Sequence, residues 1–299
     1  MNKAPIALFV YNRPEHTKKT LEYLKNNYGA LDSDLYIFSD GPRTMRDVDR
    51  VSEVRDIVNN IDGFNRITVN EKNDNCGLAN SIICGVTELC DNYGKVIVVE
   101  DDLLTSPYFL TYMNDALEKY EKIDRVMHIS GYMFPVDNAM SLPDAFFLRM
   151  TSSWGWATWK RAWDNFEPSA EHLLKKIDSA DLKSEFDIMS TFNYKKMLKK
   201  QCNGAIDSWA VRWYASVFLK NSLGLFPSHS YVKNIGFDDS GVHCGKVNHY
   251  DVGLSKKSKI RMPIDLVASD KANILLQKYY LKTREPMYKK IIRKLWKMV

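Results

Sequence analysis

The sequence predicts an α/β protein built on a mostly parallel sheet with flanking helices, and two observations carry that expectation. Over residues 1–130, short β-branched runs alternate with stretches of helical periodicity, the pattern of parallel strands joined by helical crossovers. One run, KVIVVEDDL at residues 95–103, drives four apolar residues (Val96, Ile97, Val98 and Val99) straight into three carboxylates, Glu100, Asp101 and Asp102. An apolar run without alternation suits a strand buried on both faces. Acids at its carboxyl end stand where open α/β sheets bind their ligands.

Each element follows from local pattern. Residues 4–10 predict the first strand, and residues 14–26 a helix that turns Leu21 and Leu24 inward. DLYIFS (Asp34–Ser39) predicts a second strand, closed by the turn Asp40-Gly41-Pro42. Val48, Val51, Val54, Ile57 and Val58 recur at helical spacing. Residues 66–70 predict a third strand, residues 73–77 a polar loop, and residues 78–89 an apolar helix. The acid-tipped strand is the fourth, residues 105–120 a helix, and Val126–Ser130 a fifth strand. Past residue 135 regular alternation is lost and aromatics crowd in, with Trp154, Trp156, Trp159 and Trp163, then Trp209, Trp213 and Tyr214. The expected organisation is a first half of residues 1–130, a second half of residues 131–269 on the same sheet, and a terminal element of residues 270–299.

Charge separates that last element. Residues 271–299 hold nine Lys/Arg and one Glu, a net +8, so the +5 of the whole chain leaves residues 1–270 at −3. A basic tail on an acidic body argues against a nucleic-acid-binding protein. In the tail, Tyr288, Ile291, Ile292, Leu295, Trp296 and Val299 share one helical face, and Lys289, Lys290, Arg293, Lys294 and Lys297 the other. Such a helix suits an anionic membrane surface, since the aromatic and basic faces occur together; the plainer reading is a helix packed on the body with solvated lysines. Pro5, Asn12 and Arg13 interrupt any signal-peptide pattern, and no run approaches the ~18–20 apolar residues of a membrane span. The expected location is therefore cytoplasmic, peripherally on the inner face of the membrane. Five cysteines (Cys76, Cys84, Cys90, Cys202 and Cys244), without C-x-x-C spacing, point to reduced thiols rather than a zinc site.

Three adjacent acids repel one another unless a cation lies among them. Hard divalent ions, Mn²⁺ or Mg²⁺, take oxygen ligands, often one or two carboxylates completed by substrate phosphates. The competing reading, acids placed ahead of a helix N-terminus near Ser106-Pro107, accounts for one or two of them but not for three abutting a strand.

With these motifs in order, the chain resembles glycosyltransferases of the GT-A fold from residue 4 to about residue 243. IALFVYNRP (residues 6–14) looks like their nucleotide-contacting first strand, and FSDGP (residues 38–42) like the second, whose acid approaches the base or ribose. NDNCGLAN (residues 73–80) is similar to their loop before the third helix, and EDDL (residues 100–103) matches the metal motif written D-x-D. Within that fold the likeness is to the N-acetylglucosaminyltransferase I family. It rests on Ser106-Pro107-Tyr108-Phe109 after EDDL, Ser153-Trp154-Gly155-Trp156, Asp207-Ser208-Trp209, and Gly241-Val242-His243-Cys244. Where that family has two acids before the Trp, this chain has Asp207 then Ser208, and it lacks the Golgi family's anchor. The resemblance implies a bacterial-type enzyme moving a sugar from a nucleoside diphosphate, such as UDP-GlcNAc, to a saccharide or lipid-linked acceptor in surface polysaccharide synthesis. It makes residues 1–130 the nucleotide-sugar half and residues 131–269 the acceptor side.

The resemblance also assigns roles, each with a plainer reading beside it. Asp102 ligates metal directly, with Asp101 and Glu100 holding water or ribose. Asp207 is the general base of an inverting reaction, or the N-cap of a helix over residues 208–219. Asp40 contacts nucleotide or serves its turn. Tyr11 and Arg13 follow the first strand on the nucleotide side, and Arg13 is otherwise a solvated charge before Pro14. Asn75 and Asn80 bond uracil or phosphate, or shape a turn and a cap. His243, among Gly236, Gly241 and Gly245, is a third metal ligand or diphosphate contact, or a surface histidine. Trp154 and Trp156 stack on a sugar or fill the core. A nucleotidyltransferase would share fold and acids, but Tyr11-Asn12-Arg13-Pro14 is no Gly- and basic-rich loop. A non-catalytic membrane-binding module would leave the acid tip unexplained.

Overall fold

Uninterrupted aliphatic runs bounded by turn residues set the sheet. The computed structural model describes residues 3–238 and 249–284. Its first half runs β1 (Ile6–Val10), α1 (Pro14–Lys25), β2 (Asp34–Ser39), α2 (Val48–Asn59), β3 (Arg66–Glu71), α3 (Leu78–Tyr93), β4 (Lys95–Glu100), β5 (Leu103–Thr105), α4 (Phe109–Lys119) and β6 (Val126–Ser130). The rest runs β7 (Ala145–Leu148), β8 (Trp156–Trp159), α5 (Lys160–Trp163), α6 (Ala170–Ser179), α7 (Lys183–Phe186), α8 (Tyr194–Cys202), α9 (Trp209–Leu219), β9 (Leu223–Pro227), β10 (Val232–Asn234) and α10 (Asp270–Thr283).

The predicted α/β class is observed: eight strands form one sheet in the order β3-β2-β1-β4-β8-β6-β9-β7. Pairing is parallel from β3 through β4 and between β6 and β9, and antiparallel where β8 joins β4 and β6 and where β7 meets β9. Six of the eight strands therefore point the same way, with β7 and β8 opposed. The chain lays β2 and β3 to one side of β1 and then β4 to the other, so the strand order reverses between β1 and β4. Such a reversal opens a crevice beyond the strand ends. Phe9 is opposite Glu100 and Val10 opposite Ser39, so the residues that follow β1, β2 and β4 emerge at one level.

Val96 to Val99 are fully buried, as an unalternating run on a central strand requires. The main core packs that sheet against α1, α2, α3 and α4. A second apolar cluster lies among α6, α8, α9 and α10, to which α10 contributes Ala272, Leu276, Tyr279 and Tyr280. Helix α10 thus packs on the body, its N-terminus capped by Ser269, whose Oγ accepts the Ala272 amide at 3.2 Å. The predicted amphipathic helix of residues 288–299 lies outside the described residues. Among the described residues, no helix is long and apolar enough to cross a membrane.

Two sequence expectations are corrected. The helix predicted over residues 105–120 begins only at Phe109, because Leu103–Thr105 pairs antiparallel with β10 and Pro107 disfavours helix at Ser106. The loss of alternation past residue 135 hides three further strands of the main sheet, β7, β8 and β9, each four or five residues long. Runs that short carry too little periodicity to register.

Candidate active site

Four chain segments meet at the crevice between β1 and β4. Tyr11, Asn12 and Arg13 leave β1, Glu100, Asp101 and Asp102 leave β4, residues 40–47 leave β2, and residues 73–77 lead into α3. The β4 tip is held from beneath by Thr20, whose hydroxyl donates to the Asp101 carbonyl at 2.8 Å. From above, the amide of Ile235 donates to the Asp102 carbonyl at 2.8 Å, and Asn234 Nδ2 lies 3.4 Å from Asp102 Oδ1. Pairing of β5 with β10 brings residues 234–238 over the acids. The packing there leaves no room for a side chain at Gly236, whose amide donates to Asn234 Oδ1 at 2.7 Å.

Arg13 binds this tip. Its Nη1 is 3.0 Å from Asp102 Oδ2 and 3.7 Å from Asp101 Oδ1, while its Nη2 is 3.7 Å from Asp238 Oδ1. Asp238 also meets His16, with Nε2 to Oδ2 at 3.1 Å. Burial, then the charge of Asp102, raises the Asp101 carboxyl to about 7, although Arg13 and the Tyr11 backbone N–H pull it down. Glu100 is raised well above the ordinary range by burial and by the charges of Asp102 and Asp101. One guanidinium therefore does not offset the cost of ionising all three acids together.

The predicted residues divide by how they are engaged. Asp40 is buried, and its two oxygens accept the amides of Gly41 (3.1 Å), Cys76 (2.8 Å) and Gly77 (2.9 Å). It staples the turn after β2 to the loop before α3, and a Cβ at Gly41 would lie 2.5 Å from the Asn73 carbonyl oxygen. Asn75 donates to the Gly41 carbonyl at 2.8 Å and Asn80 to the Cys76 carbonyl at 3.0 Å, so both amides shape the loop. The Tyr11 hydroxyl accepts the Arg43 amide at 3.0 Å, and Asn12 Nδ2 donates to Asp47 Oδ1 at 2.8 Å. His243 lies outside the described residues.

Asp207 stands apart from the acid tip in sequence, just ahead of α9 and its cap. The cap role predicted for it belongs to its neighbour: Ser208 caps α9, accepting the Val211 amide at 3.3 Å. Asp207 is 59% exposed and accepts from Arg212 Nη2 at 3.2 Å. The next residue, Trp209, stacks 5.0 Å from Trp156, which pairs in register with Val98. The start of α9 is thereby tied to the end of β4 that carries the acids. Trp156 is fully buried and so is core, not a sugar platform, whereas Trp154 is half-buried and packs edge-on against Phe237 at 5.6 Å.

Sequence reasoning missed that residues 234–238 lie over the acids, and it missed His16. The one local signal was the glycine at 236; the rest depends on a pairing between segments more than 120 residues apart.

No family model matches the chain, and no curated protein matches it in sequence. Among solved structures the chain is similar to a mannosyltransferase from Pyrobaculum calidifontis, in complex with GDP-Man and Mn²⁺. The identity is 11%, over 72% of this chain and 73% of that chain, with a TM-score of 0.39.

Proposed function

We propose that the protein is a metal-dependent, inverting glycosyltransferase that uses a nucleotide-activated sugar. The observation that carries this reading is the tip of β4, where the buried Asp101 and the half-buried Asp102 meet Arg13 at the point where strand order reverses. The donor set fits a hard divalent ion, since it is all carboxylate oxygen and since burial and mutual repulsion disfavour its ionised form unless a cation binds it. Among the described residues, no group of three or more His, Cys, Asp or Glu side chains forms a complete metal site. Where a protein offers one or two carboxylates, substrate phosphates and water complete the shell of Mg²⁺.

On this reading Asp102 holds the ion, with Asp101 and Glu100 holding water or ribose. The bound ion supplies charge stabilisation to the departing diphosphate. Tyr11, Arg13, Asp40, Asn75 and Asn80 form the donor side, where Arg13 faces phosphate and the stapled turn and loop set its shape. Asp207 takes the proton of the acceptor hydroxyl as its oxygen bonds to the anomeric carbon and the bond to diphosphate breaks. His243 is assigned to the diphosphate or the ion. The donor is a UDP-sugar such as UDP-GlcNAc, the acceptor a saccharide or lipid-linked saccharide of surface polysaccharide synthesis. The basic tail brings the protein to an anionic membrane from the cytoplasmic side.

A thermal-shift panel of nucleotide sugars with and without Mn²⁺ tests the reading. A ligand at a hundred times its Kd stabilises by about 2.7 kcal/mol, which moves the melting temperature by several degrees. One nucleotide sugar should do so only with Mn²⁺; a panel in which none does, with or without metal, contradicts it.

A further inference from the structure

Arg13 brings a positive charge to the acid tip. Among the described residues, it is the one basic side chain in ion-pair contact with Asp101 and Asp102. Its side chain is 13% exposed, so solvent does not screen the contact as it screens surface pairs. Burying several carboxylates without a counter-charge is costly, and Arg13 supplies that charge in part.

Resting on the metal reading above, we propose that Arg13 is the resident counter-ion of the acid tip: it holds Asp102 while no donor is bound, yields that oxygen to the metal, and turns its fork onto the donor diphosphate. A divalent ion binds a carboxylate oxygen at ~2.0–2.1 Å. With Arg13 Nη1 already 3.0 Å from Asp102 Oδ2, ion and guanidinium would crowd as like charges on one atom. Each therefore weakens the other's hold on Asp102. Arg13 has somewhere to go, because its other nitrogen already reaches toward Asp238, and a guanidinium matches the bidentate geometry of phosphate. Asp238 keeps a second partner in His16, so the 234–238 segment stays tethered when Arg13 turns. Metal and donor then assist one another's binding, and the coupling is reciprocal.

Titration of free Mn²⁺ by electron paramagnetic resonance, with and without UDP, tests this on the wild type, Arg13→Gln and Arg13→Lys. Arg13→Gln should bind Mn²⁺ alone on the order of tenfold more tightly than the wild type, within the usual span of such couplings, and gain less from UDP. Arg13→Lys, which keeps the charge but not the fork, should stay near wild type for Mn²⁺ alone and lose part of the gain from UDP. Equal or weaker Mn²⁺ binding by folded Arg13→Gln overturns the proposal. The wild type alone gives a second arm: an Mn²⁺ affinity that UDP leaves unchanged overturns it even where Arg13→Gln fails to fold. Absence of Mn²⁺ binding by every protein, with and without UDP, removes the metal reading itself; binding that is merely equal removes only the role of Arg13.

Discussion

Gly236 abuts Asp102 so closely that a Cβ on the glycine would fall inside the contact shell of Asp102 Oδ2 and lie 3.0 Å from Arg13 Nη2. The segment after β10 and the tip of β4 are fitted to each other at the one place where the charge is concentrated. Gly236→Ala should therefore displace the segment or the carboxylate, at a cost of about 1–3 kcal/mol for overpacking. The expected outcome is a lower melting temperature together with weakened Mn²⁺ and donor binding. Wild-type values for both would show that residues 234–238 are not part of the site.

The acid tip should make the metal-free protein less stable as pH rises. Burial, then Asp102, holds the Asp101 carboxyl at about 7 when folded, against an ordinary 3.8. Between those values the folded protein keeps a proton that the unfolded chain releases, so stability falls as pH climbs from about 4 to 7 and levels off above. Glu100 is displaced in the same direction and adds to the trend. In chelator, Asp101→Asn should raise the melting temperature at pH 8 and change it little at pH 4. Parallel pH profiles for variant and wild type would contradict this.

Asp207 and Ser208 separate chemistry from capping. Ser208→Ala removes the acceptor for the Val211 amide and should cost about 1 kcal/mol of stability. Asp207→Asn should instead lower turnover by at least ~10²-fold with donor affinity nearly unchanged, as loss of a general base does. Steady-state kinetics beside thermal melts decide it. Near-wild-type turnover in Asp207→Asn would move the base elsewhere, with Asp238 the next acid to test.

The basic tail is expected to act on location rather than chemistry. Each Lys or Arg near an anionic surface contributes about 1 kcal/mol, so five of them make salt-sensitive binding. Removing residues 289–299 should release the protein from anionic liposomes and leave transfer to a soluble acceptor intact. Equal pelleting of both forms at low salt would reject the tail as the membrane contact.

Much of the first half was legible because its elements are long or chemically marked. Asp34–Ser39 and Val126–Ser130 match the predicted bounds, and the starts of α1, α2 and α3 follow from Pro14, the Val48 periodicity and the polar loop before Leu78. The acids were legible too, since three carboxylates on an apolar strand conflict with burial unless something binds them. What the pattern hid is tertiary. Antiparallel β8, wedged between β4 and β6, is four residues long and half tryptophan. The Arg13–Asp102 contact joins residues 89 apart, and nothing local foretells it. Neighbouring Asp207 and Ser208 are both good caps by type, and only backbone geometry selects the serine. Asp40 looked like a ligand contact because of its place at a strand end, and the same place lets it staple two loops through three amides.

Sugar transfer by the wild type and Asp102→Ala, in EDTA and again with Mn²⁺ restored, tests the central claim most directly. EDTA should silence the wild type, Mn²⁺ should restore it, and folded Asp102→Ala should stay inactive in both conditions. Full activity of the wild type in EDTA, or of Asp102→Ala with Mn²⁺, would contradict it.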